Sequence, residues 1–369
     1  MRANMSVVVY GMIFPPAGQS LQAGIQPGLR LGLGGAAIGN LFNAVRDDEA
    51  SALLQAALTS GCHTFDTAPH YGNGLSEHRF GQALRNVPRD NFVLSSKVGR
   101  LLVPDADAPR EQNSYVDVLP YSQKWDFSAA GVRRSVQDSL QRLGLARLDV
   151  AYVHDCDAAT HGAHYPQVLK QVVQEALPEL QRMKAQGLVR HIGLGVNDVQ
   201  VCLDVLAQAD LDCLLLAGRY SLIDQTALRA LLPLCMQRGV RIALGGVFNS
   251  GILATGVRAR QSPLNSSVLN VRFNYAAAPQ AWINRVAAVE TVCDEFDVPL
   301  RAAALQFPLA HPAVEIVMAG PQTVPHWDDA IRMMQKSIPD DFWRALRVQG
   351  LLPDDAPTPT TAPVPYPEA

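Results

Sequence analysis

The run Cys62-His63-Thr64-Phe65 leads straight into Asp66-Thr67-Ala68-Pro69-His70-Tyr71-Gly72-Asn73-Gly74-Leu75-Ser76-Glu77, a turn-rich stretch carrying a carboxylate, an imidazole and a phenol. A short buried strand that delivers polar groups into a loop is one unit of an alternating α/β architecture. The unit recurs outward in both directions. Further strand candidates are Arg30–Leu33, Phe92–Lys97, Leu148–His154, His191–Val196, Cys213–Arg219, Arg241–Gly245 and Glu315–Ala319, short and unbroken as strands buried on both faces should be. Segments of helical spacing lie between them. Ser128 can cap a helix with Val132, Val136, Leu140 and Leu143 on one face, and Gly144 stands where a left-handed terminator belongs. Asp47–Ser60 runs to Gly61, Pro166–Gln186 to Gly187 and Thr226–Arg238 to Gly239. Eight strands interleaved with helices predict a (β/α)8 TIM barrel with long loops at its C-terminal face. A doubly wound sheet is the competing architecture.

Composition sets the class. Of 369 residues, 48% are hydrophobic and 18% charged, which favours a large buried core over a disordered chain. Thirty-one Lys+Arg against thirty-four Asp+Glu give a net charge of -3, with no basic stripe to attract nucleic acid. No apolar stretch is long enough to span a bilayer. The six cysteines (62, 156, 202, 213, 235, 293) form no Cys-x-x-Cys pair, which argues against a disulfide scaffold or structural zinc and for free thiols in a reducing cytoplasm. Oligomeric state is left open.

Residues 1–28 read as an irregular leader, 29–350 as the barrel and 351–369 as a Pro-rich tail, extended or disordered from Pro353 to Pro367. The apolar residues near the N-terminus only weakly imitate a signal peptide, because Pro15-Pro16 interrupts them before a cleavage site. The sequon at Asn265 is then without consequence. Two long connections, Arg100–Phe127 and Gly251–Pro279, follow strands and are expected to border the site as lids.

Several motifs fail on context. Gly32-Leu33-Gly34-Gly35-Ala36-Ala37 satisfies G-x-G-x-x-A, but Ile38–Arg46 separate it from the next helical pattern, so the pyrophosphate would not meet a helix N-terminus. His154-Asp155-Cys156-Asp157 with His161 and His164 matches no metal spacing, and no metal is expected. Asn249-Ser250-Gly251 is no nucleophile elbow.

Strand ends carry the stronger signal. In a barrel, the ends of the second, third and fourth strands bring Asp66, Tyr71, Lys97 and His154 together. A phenol of pKa near 10 is a poor base at neutral pH, but a neighbouring ammonium favours phenolate, and a carboxylate on that ammonium keeps it charged and oriented.

These residues resemble the aldo-keto reductase superfamily, whose Asp, Tyr, Lys and His tetrad falls on Asp66, Tyr71, Lys97 and His154. Arg142-Leu143-Gly144-Leu145, leading to Asp149 and His154, resembles the family's approach to its fourth strand. Within the superfamily, Leu33–Leu41, His154–Asp157, Ala217–Tyr220, Phe248–Leu253 and Gly350–Pro353 are similar to a branch of L-fucose, D-threo-aldose and L-galactose dehydrogenases and pyridoxal 4-dehydrogenases. The resemblance implies a nicotinamide-dependent dehydrogenase. Tyr71 as phenolate would take the proton of an anomeric hydroxyl, hydride would pass to the nicotinamide, and a lactone would form. His154 would hold the reacting oxygen.

By the same resemblance, Asn197 would hold the nicotinamide amide and Gly246, Val247, Phe248, Asn249, Ser250 and Gly251 the pyrophosphate. Gly320, Gln322, Thr323, His326 and Asp329 after the eighth strand complete the cofactor candidates. Many members carry Gln on strand six, where alignment on Tyr220 puts Ala217, so Arg219 is a candidate replacement. With Tyr71 and His154, the aromatic residues Tyr121, Trp125 and Tyr275 are candidate substrate contacts. No Lys or Arg stands between Gly320 and Arg332, and Asp328 and Asp329 repel a 2′-phosphate, which favours NAD over NADP. Arg258 and Arg260 are the basic residues that would serve NADP instead. The leading substrate is a cyclic sugar. Pyridoxal, which also forms a hemiacetal, a general carbonyl reductase and a non-catalytic binding barrel are the alternatives.

Overall fold

Each apolar run becomes a strand, within two residues of the expected ends. The computed structural model describes residues 13–14, 29–258 and 271–360. Its strands are β1 (Leu31–Gly34), β2 (Thr64–Asp66), β3 (Val93–Val98), β4 (Leu148–His154), β5 (Val189–Val196), β6 (Cys213–Ala217), β7 (Arg241–Gly245) and β8 (Val314–Ala319). They pair in parallel in the order β1-β8-β7-β6-β5-β4-β3-β2 and close back on β1. Closure excludes the doubly wound sheet. Gly193 shows how tightly neighbouring strands fit: a Cβ there would lie 2.0 Å from the carbonyl oxygen of Cys213.

The main helices lie outside: α1 (Asp47–Thr59), α2 (Leu75–Leu84), α3 (Ala129–Leu143), α4 (Leu177–Ala185), α5 (Val199–Leu206), α6 (Leu231–Arg238), α7 (Gln280–Glu295), α8 (Leu300–Gln306), α9 (Val324–Gln335) and α10 (Asp340–Val348). α3 is built as its sequence requires, with Ser128 Oγ accepting from Gly131 N at 3.1 Å and Gly144 left-handed at φ 65.

Three expectations need correction. The helix expected over 166–186 is divided into Tyr165–Gln171, a π turn at Val172–Ala176, and α4. Pro178 removes an amide donor from the ladder, and the wider turn accommodates the loss. The helix expected from Thr226 begins only at Leu231, because Asp224 accepts from both the amide and the hydroxyl of Thr226 and holds that stretch in turns. The connection 100–127 is rooted in an antiparallel ribbon, with Arg100–Pro104 paired to Tyr121–Trp125. Neither strand alternates in sequence, since Leu101, Leu102 and Val103 run together and Ser122, Gln123 and Lys124 are three polar residues in a row.

Most of the leader, the Asn265 sequon, Arg260 and the tail beyond residue 360 lie outside the described residues. Ile13 and Phe14 are buried inside the barrel against Val150, Tyr152, Cys213, Leu215, Ala243 and Ile316, and Ile13 N donates to Glu315 Oε1 at 3.1 Å. Residues 353–360 have no helix or strand, yet Ala356 is buried and Asp355 pairs with Arg229 at 3.0 Å. No described helix is long and apolar enough to cross a membrane.

Candidate active site

The barrel brings the four singled-out side chains to one mouth. Asp66 ends β2, Lys97 lies one residue before the end of β3, and His154 ends β4. Lys97 Nζ donates to Asp66 Oδ2 at 2.7 Å and to the Thr67 carbonyl at 2.9 Å. Ser95 Oγ donates to the other carboxylate oxygen at 2.6 Å. Asp66 and Lys97 are 4% and 2% exposed, a buried pair whose stray lone pairs are filled, as burial of charge demands.

Tyr71 reaches the same place from the loop after β2. Two glycines fix that loop. A Cβ on Gly39 would lie 2.7 Å from the Tyr71 carbonyl carbon, and Gly72 is left-handed at φ 67 with no room against the Gly39 carbonyl oxygen. The Tyr71 ring has Lys97 Nζ 4.6 Å from its centre, His154 edge-on at 6.2 Å and Tyr115 stacked at 6.0 Å.

The electrostatics correct one expectation. Burial, followed by the Asp66 carboxylate, pushes the Tyr71 phenol well above 10 instead of below it. Lys97 is paired with Asp66 and does not offset that burial, and the phenol stands protonated. Burial, with Arg100, Lys97 and His70 around it, drives His154 well below 6.5, so its imidazole is neutral. His70 is pushed down to about 3, first by burial and then by Arg100.

His154 is also held from its flank. Asp155 has a left-handed backbone at φ 43, uncommon outside glycine, with its carboxylate 3.5 Å from His154 Nε2. Arg100 donates to Asp155 at 2.7 Å and lies 3.8 Å over the Trp125 ring. Through Gln123, which accepts from Arg100 at 3.1 Å and meets His70 Nδ1 at 3.0 Å, the ribbon is tied to the loop carrying Tyr71.

Beside Tyr71 and Asp66 opens a cavity of ≈ 620 Å³, a size suited to a cofactor. Its wall includes Asn197, Arg219, Gly246, Val247, Phe248, Asn249, Ser250, Gly251, Gly320, Gln322, His326 and Asp329. Thr323 stands behind that wall as the cap of α9, its Oγ accepting from His326 N. The turn Asn249–Gly251 is left-handed throughout, at φ 44, 61 and 103. Nothing lies within 4 Å of a Cβ placed on Gly251, and Asn249 Oδ1 is buried with no partner among the described residues. The open left-handed turn leaves room for a bound dinucleotide, and the orphaned oxygen suits a hydroxyl or amide donor of it, not a phosphate oxygen.

Arg219 is heavily committed. It donates to the Asn197 carbonyl at 2.7 Å, to Asp224 at 2.8 Å and to Asn274 Oδ1 at 2.8 Å. Ala217 ends β6 on the cavity wall, as the alignment placed it. Tyr275 is on the wall, its amide donating to Ser250 Oγ at 2.8 Å, whereas Tyr121 and Trp125 are not among the residues lining the cavity. Trp125 packs instead on Phe127 and His161. His70, Asp155 and Arg301 are site residues that sequence reasoning gave no role. Arg301 reaches the wall from α8, and only the tertiary structure brings it there. No group of His, Cys, Asp and Glu among the described residues could hold a metal ion.

Residues 30–348 match the model of the aldo/keto reductase family. A pyridoxal 4-dehydrogenase of Microbacterium luteolum is 41% identical over 87% of this chain and 94% of its own. A D-threo-aldose 1-dehydrogenase of a Pseudomonas species is 37% identical, covering 88% and 94%. Among solved structures, a glycerol dehydrogenase of Gluconobacter oxydans superposes with a TM-score of 0.66 at 23% identity over 92% of this chain and 96% of that one, a likeness of fold.

Proposed function

Because the chain belongs to the aldo/keto reductase family, an oxidoreductase family using nicotinamide cofactors, we propose that it oxidises the anomeric hydroxyl of a cyclic sugar to a lactone. The observation that carries this reading is the buried Asp66–Lys97 pair beneath the Tyr71 ring. A bound nicotinamide would accept the hydride leaving the anomeric carbon.

The chain's own residues handle the rest. The phenol first ionises, releasing its proton to solvent, and the substrate oxygen then gives its proton to the Tyr71 oxygen; Lys97 stabilises the phenolate through its position against the ring. Neutral His154 hydrogen-bonds the same oxygen and holds it toward Tyr71. Asn197 and Arg219 would hold the nicotinamide end, and the Gly246–Gly251 turn would take the pyrophosphate.

NAD is the proposed cofactor. The start of α9 carries no Lys or Arg before Arg332, and Asp329 stands on the cavity wall. Arg258, which could have served NADP, is paired with Asp294 at 2.7 Å. The substrate is a small molecule. The six cysteines are free and buried, which supports a reducing cytoplasm.

Pyridoxal is a second reading with specific support. Tyr115 and Tyr71 form a stacked pair at the mouth, suited to a flat pyridine ring, and the relative at 41% identity is a pyridoxal 4-dehydrogenase. A dehydrogenase screen over L-fucose, D-arabinose, L-galactose and pyridoxal, each with NAD and NADP, tests both. Turnover of a sugar hemiacetal with NAD supports the proposal, turnover of pyridoxal alone selects the second reading, and turnover of neither overturns both.

A further inference from the structure

Arg301 and Asp329 face the cavity together, although they come from different helices. Arg301 is the second residue of α8, and Asp329 lies in the second turn of α9. Arg301 Nε donates to Asp329 Oδ2 at 2.6 Å, and its Nη2 donates to Oδ1 at 3.3 Å. Arg332 Nη2 also reaches Asp329 Oδ1 at 3.3 Å, but Arg332 is not on the cavity wall. Arg301 Nη1 has no hydrogen-bond partner among the described residues.

A guanidinium bound side-on by a carboxylate has spent the edge with which it would grip a phosphate. The carboxylate that holds it repels a second anion, yet its remaining lone pairs can accept from a neutral ribose hydroxyl. We propose that the Arg301–Asp329 pair selects the cofactor, with Asp329 masking a cation that would otherwise receive a 2′-phosphate.

The inference rests on the NAD reading but makes a separate claim. The NAD reading says which cofactor is preferred. The pair says which residues set that preference, and that the chain already carries the cation needed to reverse it. Removing the negative charge from Asp329 releases Arg301 toward the cavity. Removing Arg301 leaves Asp329 paired only with Arg332, which is off the wall, and makes the wall less tolerant of phosphate.

The test is a binding measurement that needs no turnover. Isothermal titration calorimetry of ADP-ribose and 2′-phospho-ADP-ribose gives a ratio of dissociation constants for each protein. Asp329→Asn should move the ratio toward the phosphorylated ligand by at least about tenfold, roughly the effect of one charge-assisted contact. Adding Arg301→Ala to that variant should abolish the shift. Arg301→Ala alone, which serves if Asp329→Asn does not fold, should move the ratio away from the phosphorylated ligand. The wild-type ratio tests the NAD reading, and the changes in ratio test the pair, so the two can fail separately. A ratio for Asp329→Asn within about twofold of wild type, or a shift that persists without Arg301, overturns the proposal.

Discussion

Lys97 Nζ sits 2.7 Å from Asp66 Oδ2 and 4.6 Å from the centre of the Tyr71 ring. The ammonium is thus shared between a carboxylate that keeps it charged and a phenol that needs it. The first prediction follows from that sharing. Tyr71→Phe removes the proton acceptor while leaving the cofactor wall intact, so kcat should fall by at least about 10³-fold with cofactor affinity nearly unchanged. Steady-state kinetics with a cofactor titration decides it, and unchanged turnover would remove Tyr71 from the mechanism.

The raised pKa of Tyr71 sets a pH dependence. Below that pKa the phenolate fraction rises about tenfold per pH unit, so oxidation should accelerate from pH 7 toward 10. Reduction, which needs the phenol, should show no such rise. His154, held neutral by burial and neighbouring cations, should contribute no ionisation above pH 6.5. Matching pH profiles in both directions would contradict this assignment.

Tyr115, stacked on Tyr71, should act on substrate and not on cofactor. Tyr115→Ala should raise the substrate KM about tenfold, the scale of one lost aromatic contact. Shortening the connection between Pro104 and Tyr121 should likewise raise the substrate KM far more than the cofactor KM. Equal effects on both constants count against the ribbon as a substrate element.

How much of this was legible in the sequence differs by residue. The strands were legible because runs buried on both faces are short and mostly apolar, and the four singled-out residues because they sit at or just beyond strand ends. Arg301 was not, since its contact with Asp329 joins helices on either side of β8. The raised pKa of Tyr71 was not legible, because the sequence brings a lysine near the phenol but shows neither how deeply the phenol is buried nor how close the Asp66 carboxylate lies. Tyr121 and Trp125 stand out in the sequence as aromatic residues of a long connection, with nothing there to show which way they face. The ribbon's pairing turns Trp125 onto Phe127 and His161, and Tyr115 is the one that meets Tyr71.

Glu315, which accepts from Ile13 N, couples the leader to pH. Burial, opposed by Arg241, by the amides of Ile13 and Phe14 and by Arg30, pushes its carboxyl up to about 7 from 4.5. Folding therefore favours the protonated form: the contribution is full below pH 4.5 and is lost as pH rises through 7. The loss is about 3 kcal/mol at most. Glu315→Gln should flatten this part of the stability profile between pH 4.5 and 8, measured by denaturant unfolding. An unchanged slope would show that Glu315 is ionised throughout.

The central claim is that hydride leaves the anomeric carbon of a cyclic hemiacetal under control of Tyr71. The most direct measurement supplies the hemiacetals deuterated at the reacting carbon, L-fucose, D-arabinose and L-galactose at C1 and pyridoxal at its aldehyde carbon, with NAD. Magnetic resonance then follows the products. Deuterium on the reduced nicotinamide, a lactone in equal amount and the loss of both in Tyr71→Phe are the predicted result. Reduced nicotinamide without deuterium, an open-chain acid in place of the lactone, or the same transfer in Tyr71→Phe would contradict it.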